Sequence, residues 1–189
     1  MRLIYLLPVA ILCCVSCKKQ HIKEPTPLDA AMQFNTGSLT GDINGNTWAH
    51  QTVEVFNHND GRLVDMQATY FINGFEAQQF VINRIAPTIG KQKIYPDYYY
   101  QPAGNATLQD TCMATFTVSD QATANIYRVD SSYDNYVTVS SYDSTTHMIS
   151  GSFKAVFYRL NINKPALQGF ADTLHMQGIY SGYIRRNTP

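Results

Sequence analysis

The alternation of apolar and polar residues between Tyr136 and Tyr158 is the clearest pattern in the chain. Val137 and Val139 share one face of a first strand, and Ile149, Gly151, Phe153, Ala155 and Phe157 share one face of a second. Ser150, Ser152 and Lys154 point the other way. Side chains on a strand alternate sides, so this period of two describes a sheet with one buried and one wet face. The same period returns near the end of the chain. There Leu174, Met176, Gly178, Tyr180, Gly182 and Ile184 oppose His175, Gln177 and Ser181. It returns again where Val64, Met66, Ala68, Tyr70 and Ile72 oppose Leu63, Asp65, Gln67 and Thr69.

Turn signals separate these runs. Asn44-Gly45 and Asn73-Gly74 predict type I′ hairpins, because that turn needs two residues that tolerate positive φ, and Asn59-Asp60-Gly61 predicts a further turn. Further strands are expected over residues 39–43, 46–56, 78–85, 112–120 and 124–129, with a short one near 91–95. Roughly nine to ten strands without an amphipathic helix predict an all-β domain, an antiparallel β-sandwich, with a lipocalin-like up-and-down barrel as the alternative. Gly151, Gly178 and Gly182 fall inside strand patterns, which predicts bulges or close packing against a large residue such as Trp48.

The first residues do not fit the β pattern. Met1 and Arg2 precede an apolar run over residues 3–15, shorter than the roughly 20 residues that span a bilayer and suited to a signal peptide. It ends in Cys14-Val15-Ser16-Cys17, followed by Lys18-Lys19. This resembles the lipobox of bacterial lipoproteins, with Ser16 as the small residue before the acylated cysteine and Cys14 where Leu is usual. The resemblance implies a signal peptide over 1–16, lipid on Cys17, a tether over 17–37 containing Pro25 and Pro27, and one all-β domain over 38–186. Several acyl chains, at about 0.8 kcal/mol per buried methylene, hold a protein on a membrane essentially permanently. The expected location is therefore the cell envelope, anchored in the outer membrane on its periplasmic or surface side.

Composition narrows the partners. Charged residues make up 15% of the chain, below the usual soluble share of about 25%. Losing Arg2 with the leader leaves 13 basic against 14 acidic residues, so there is no basic footprint for nucleic acid. Of four cysteines, Cys13 and Cys14 leave with the leader and Cys17 carries lipid. Cys112 shares a strand face with Ala114, Phe116 and Val118, and reads as a small core residue rather than a reactive thiol.

The runs NGNTW (residues 44–48), ISGSF (149–153) and GIYSGYI (178–184), placed after a lipobox and a Pro-containing tether, carry a wider likeness. On them the chain resembles small Bacteroidota-type envelope lipoproteins of unknown function, with Ser152 in place of the usual Thr. The resemblance implies a β-sandwich-like domain on an envelope surface and brings no catalytic residues.

Candidate chemistry rests on the 13 tyrosines. Tyr98, Tyr99 and Tyr100 crowd an irregular stretch over 87–110, while Tyr127, Tyr133, Tyr136 and Tyr142 surround the polar run DSSYDN. Aromatic faces beside Asp, Asn and Gln suit a glycan or a peptide, since the ring stacks while polar groups fix orientation. Tyr98, Tyr99, Tyr100 and Tyr133 are the ligand-binding candidates. Against them stands the plainer reading of Tyr as a good strand residue. Asp130, Asp134, Asn135 and Asp143 lack the spacing of a calcium loop and suit turn formation. His50 is expected on a strand beside Glu54. No HExxH, G-x-S-x-G or phosphate-binding glycine loop occurs, so no catalytic residue, metal or cofactor is assigned. The expected function is a non-enzymatic, lipid-anchored binding module for glycan or envelope protein. A lipocalin-like small-ligand carrier is the alternative, and a hydrolase a more distant one.

Overall fold

The computed structural model describes residues 35–48, 50, 52–58, 61–96, 111–120, 122–162 and 166–185. They form twelve strand segments: β1 Gly37–Ile43, β2 Asn46–Thr47, β3 Thr52–Asn57, β4 Val64–Ile72, β5 Phe75–Ile85, β6 Gly90–Lys93, β7 Tyr95–Pro96, β8 Met113–Ser119, β9 Ala124–Val129, β10 Tyr136–Asp143, β11 Met148–Arg159 and β12 Thr173–Tyr183. A 3-10 turn, Leu167–Gly169, lies between β11 and β12. Apart from that turn, the regular structure of the described residues is all β, as the alternation predicts. Both Asn-Gly hairpins form, with φ of 53° and 78° at Asn44 and Gly45 and 53° and 81° at Asn73 and Gly74.

Sheet order is β2-β1-β12-β11-β9-β8-β5-β4-β3, antiparallel at every step. The path curls until its ends meet. Thr36 N–H donates to Val53 O at 2.9 Å, Arg185 N–H to Val55 O at 2.8 Å and Asn57 N–H to Arg185 O at 3.0 Å. The residues flanking β1 and β12 thus cover the free edge of β3, removing a template for further pairing. Both walls of the core belong to one curled, barrel-like sheet.

β11 holds this sheet together by belonging to two neighbourhoods. Its first half pairs with β10, which also pairs with β6, while its last residues, Phe157 to Arg159, pair with β9. Asn135 fills the fork between them. Its Oδ1 accepts from Val156 N–H at 2.7 Å, its Nδ2 donates to Asp130 O at 2.6 Å and Tyr133 O at 3.1 Å, and its own carbonyl accepts from Ile94 N–H at 3.0 Å. A buried amide with every group satisfied can join strands that cannot pair directly.

Inside, aromatic rings fill the axis. Phe80 lies 4.8 Å from Phe153 and 6.1 Å from Phe157, Phe116 lies 5.9 Å from Tyr127, and Trp48 meets Phe80 and Phe116 edge-on at 5.7 and 5.9 Å. Glycines make room for them. A Cβ on Gly178 would stand 2.9 Å from the Phe153 ring and one on Gly182 2.6 Å from Val55, while one on Gly151 would strike the Thr138 carbonyl and Tyr180. The close packing expected of these glycines is present, but against Phe153, Tyr180 and Val55; the near neighbours of Trp48 are other rings.

Three further details depart from the simple alternation. The strand expected over 46–56 is broken, because Trp48 turns inward and gives its N–H to Gly41 O at 3.0 Å. The short strand near 91–95 is likewise split at buried Ile94. At the end of β4, a register shift between Tyr70 and Phe71 exchanges the faces, so Phe71 is buried and Ile72, expected inside, is 40% exposed. Of the expected turn at Asn59-Asp60-Gly61, only Gly61 is among the described residues.

Candidate functional site

The outward side chains of β10, β11, β12 and β1 form cross-strand rows, because register aligns them strand by strand. One row runs Lys93, Tyr136, Lys154, Gln177, Asp42, Thr47. At about 4.8 Å between strands it extends roughly 24 Å. The next row is Lys91, Thr138, Ser152, Ile179, Thr40, and beyond it Ser141, Ser150, Ser181 and Ser38 follow one another. In that serine row the Ser38 and Ser181 hydroxyls are 2.9 Å apart and those of Ser141 and Ser150 2.7 Å.

Two adjoining hollows of about 530 and 580 Å³ lie over parts of the first two rows and share Asp42, Gly45, Lys154 and Gln177. Asp42 is already oriented: its carboxylate accepts from Gln177 Nε2 at 3.1 Å and from Gly45 N–H at 3.1 Å. The Lys154 side chain is exposed. The groove thus offers an exposed ammonium, an amide, a fixed carboxylate, hydroxyls and an outward apolar side chain, Ile179, at 63% exposure.

Tyr133 and the run around it stand at one end of this groove. The Tyr133 ring meets His175 edge-on at 5.7 Å, and His175 lines the groove. Lys91 sits 4.1 Å from the centre of the Tyr136 ring and 2.8 Å from Asp134. The hydrogen bond from Lys91, helped by the charges of Lys154 and Lys93, holds the Asp134 carboxyl below its ordinary pKa. Both partners are exposed, so this ion pair orients side chains more than it stabilises the fold. Asp130 is also held low, first by Ser132 N–H and then by the Ser132 hydroxyl, and Asp143 by Thr146 and Thr145. The Asp130 and Asp143 carboxylates thus organise their turns.

At the barrel end formed by the Asn44-Gly45 turn lies a separate pocket of about 350 Å³, with Trp48, Phe170, Leu174 and Ile43 below and Asn44, Asn46, Thr47 and Gln78 around it. Trp48 Nε1 donates to Gln78 Oε1 at 2.9 Å. His50 lies 5.3 Å from Trp48, where burial lowers its pKa against the opposing effect of a backbone hydrogen bond at Trp48. At the other end His58 Nδ1 is 2.9 Å from Asp65, which also accepts from Arg84 N–H at 2.8 Å. That carboxylate secures Arg84 at a φ of 61°, a structural duty. Cys112 is buried and its thiol is pushed up to about 12, chiefly by desolvation and then by the nearby Asp65 charge, as expected of a core residue.

Tyr98, Tyr99, Tyr100 and Cys17 lie outside the described residues, so of the sequence candidates only Tyr133 has a described position. It is 44% exposed, beside the groove. Sequence reasoning missed Lys154, Gln177 and Asp42 as a group. The outward direction of Lys154 and Gln177 was legible in the alternation, but the alignment of all three depends on register across three strands. Among the described residues, no three His, Cys, Asp or Glu side chains gather as metal ligands would, and no helix is long and apolar enough to cross a membrane. No family model, curated protein or solved structure matches the chain.

Proposed function

We propose that the protein is a non-catalytic module, anchored in the cell envelope through lipid on Cys17, that binds envelope glycan along the outer face of β10, β11, β12 and β1. The single observation that carries this reading is the aligned row of Tyr136, Lys154, Gln177 and Asp42 beneath a groove. Hydroxyl-rich chains are recognised by such mixed donors and acceptors together with an apolar or aromatic contact. A protein partner would favour a drier surface with an aromatic or arginine anchor at its centre, whereas this face is centred on Lys154 and Gln177. Aromatic rings along the barrel axis favour surface binding over the small-ligand carrier, which needs an internal chamber.

The test is retention of the full chain, in detergent, on a panel of envelope glycans. Replacing Tyr136, Lys154 and Gln177 together with Ala should abolish retention and leave the melting temperature unchanged. Retention that survives this change but is lost when Tyr98, Tyr99 and Tyr100 become Ala would move the site to the tyrosine run. For the anchor, Cys17→Ser should release the protein from membranes and abolish lipid labelling; persistent labelling would reassign it to Cys13 or Cys14.

A further inference from the structure

The pocket over Trp48 differs in kind from the groove, and it does not depend on the glycan reading of that groove. None of its lining residues is charged: Ile43, Trp48, Phe170 and Leu174 are apolar, and the polar groups are the amides of Asn44, Asn46 and Gln78 and the Thr47 hydroxyl. An ionised ligand would enter without a counter-charge, which is costly in a partly desolvated pocket. A fully apolar ligand would leave unused the hydrogen-bonding capacity that Asn46, Thr47 and Gln78 retain beyond their internal bonds. The geometry points to a second binding site at this barrel mouth, for one neutral, hydroxyl-bearing ring such as an uncharged hexose unit. Its C–H faces would lie against the apolar side and its hydroxyls against the amides. The volume, about 350 Å³, is within the range of small-molecule sites.

The pocket is also built in advance of any ligand. On one side, Asn44 is locked to β12: its N–H donates to His175 O at 2.8 Å, and its Oδ1 accepts from His175 N–H at 2.8 Å. On the other, the 3-10 turn carrying Phe170 is pinned by two buried groups. Asn125 Oδ1 accepts from Leu167 N–H at 3.0 Å, and the Tyr127 hydroxyl donates to Ala171 O at 3.1 Å. Phe170 then rests 5.8 Å from Phe116 inside the barrel. Walls held this way lose little freedom on binding, which favours a small ligand with few contacts of its own.

The chain supplies its own reporter, because Trp48 is the only tryptophan in 189 residues. The full protein in detergent is titrated with methyl glucoside, methyl galactoside and N-acetylglucosamine, with glucuronate and glucosamine as charged controls. At least one neutral sugar should shift Trp48 emission saturably, and the charged sugars should bind about tenfold more weakly or worse. Asn46→Ala, in the exposed β2, should weaken the response about fivefold to tenfold, the worth of a hydrogen bond. The triple change at Tyr136, Lys154 and Gln177 should leave the response intact, so failure of the groove and failure of the mouth are separately visible. Any of three results would overturn the proposal: no saturable change with the neutral sugars, an equal response to the charged ones, or an Asn46→Ala titration identical to the parent.

Discussion

The β11–β12 pair shows two faces made by the same residues' neighbours, and they obey opposite rules. On the inner face, Phe153 lies opposite Gly178, Gly151 opposite Tyr180 and Ile149 opposite Gly182, each large side chain meeting a missing one. On the outer face, Ser150 lies opposite Ser181, Ser152 opposite Ile179 and Lys154 opposite Gln177, with a hollow above the last two pairs. The inner pairs are fixed by volume, since a close-packed interior tolerates neither a void nor an extra methyl group. The outer pairs have no such obligation. Residues that folding leaves free are the ones that recognition can use, so the functional reading rests on that face.

The comparison breaks hardest at Gly151. A Cβ there would enter the Thr138 carbonyl, which is backbone and cannot swing aside. Gly151→Ala should cost about 4 kcal/mol or more, placing it among the exceptional single substitutions. Chemical denaturation reads this directly, and a loss near 1 kcal/mol would show that β10 can yield. Asn135→Ala comes next, because it orphans buried Val156 N–H and takes one of two donors from each of the Asp130 and Tyr133 carbonyls at the fork. A cost of about 2–3 kcal/mol is expected, with loosening of the Asp130–Asn135 loop in hydrogen exchange. A stable variant with that loop unchanged would mean that the fork does not position Tyr133.

Acid should act more gently and from the mouth. The His50 pKa lies below its ordinary value of about 6.5, so the unfolded chain takes up the proton first and stability falls as pH drops below that value. Above it the contribution is complete. Glu54 and Glu76 carry raised pKa values, mainly from burial, so their protonation on acidification favours the fold and opposes this trend closer to the ordinary carboxylate range. Melting temperatures at pH 7.5 and 6.0 test the sign. The parent should lose stability over that interval and His50→Asn should lose less; equal losses would remove His50 from the account. Cys112 supplies a check on the interior: its thiol should resist alkylation at pH 8 until the protein unfolds, whereas labelling of the native state would mean the core opens near β8.

How much of this was readable in advance differs between the two faces. The inner face was legible, since the residues of β11 and β12 expected to point inward do so, and both Asn-Gly turns form. What escaped were places where long-range packing overrides the local period: the break of the strand at Trp48, the register shift after Tyr70 and the fork that Asn135 fills. Asn135 looked like an ordinary turn residue because its partners, Val156 and Ile94, lie far away in sequence. The outer face was half legible. Its residues were known to be wet, but the row uniting Asp42 with Gln177 joins positions 135 residues apart. No local pattern records that registration.

Phe153 and Lys154 are adjacent in the chain, lie on opposite faces, and so carry the division between scaffold and proposed binding surface in a single pair of substitutions. The most direct measurement compares Phe153→Ala with Lys154→Glu for melting temperature and, below it, for retention on the envelope-glycan panel. Phe153→Ala should lose about 3–5 kcal/mol of stability and keep its binding while folded, whereas Lys154→Glu should stay within about 0.5 kcal/mol of the parent and lose its binding. Binding that persists in Lys154→Glu, or stability that falls there as far as in Phe153→Ala, would contradict the account.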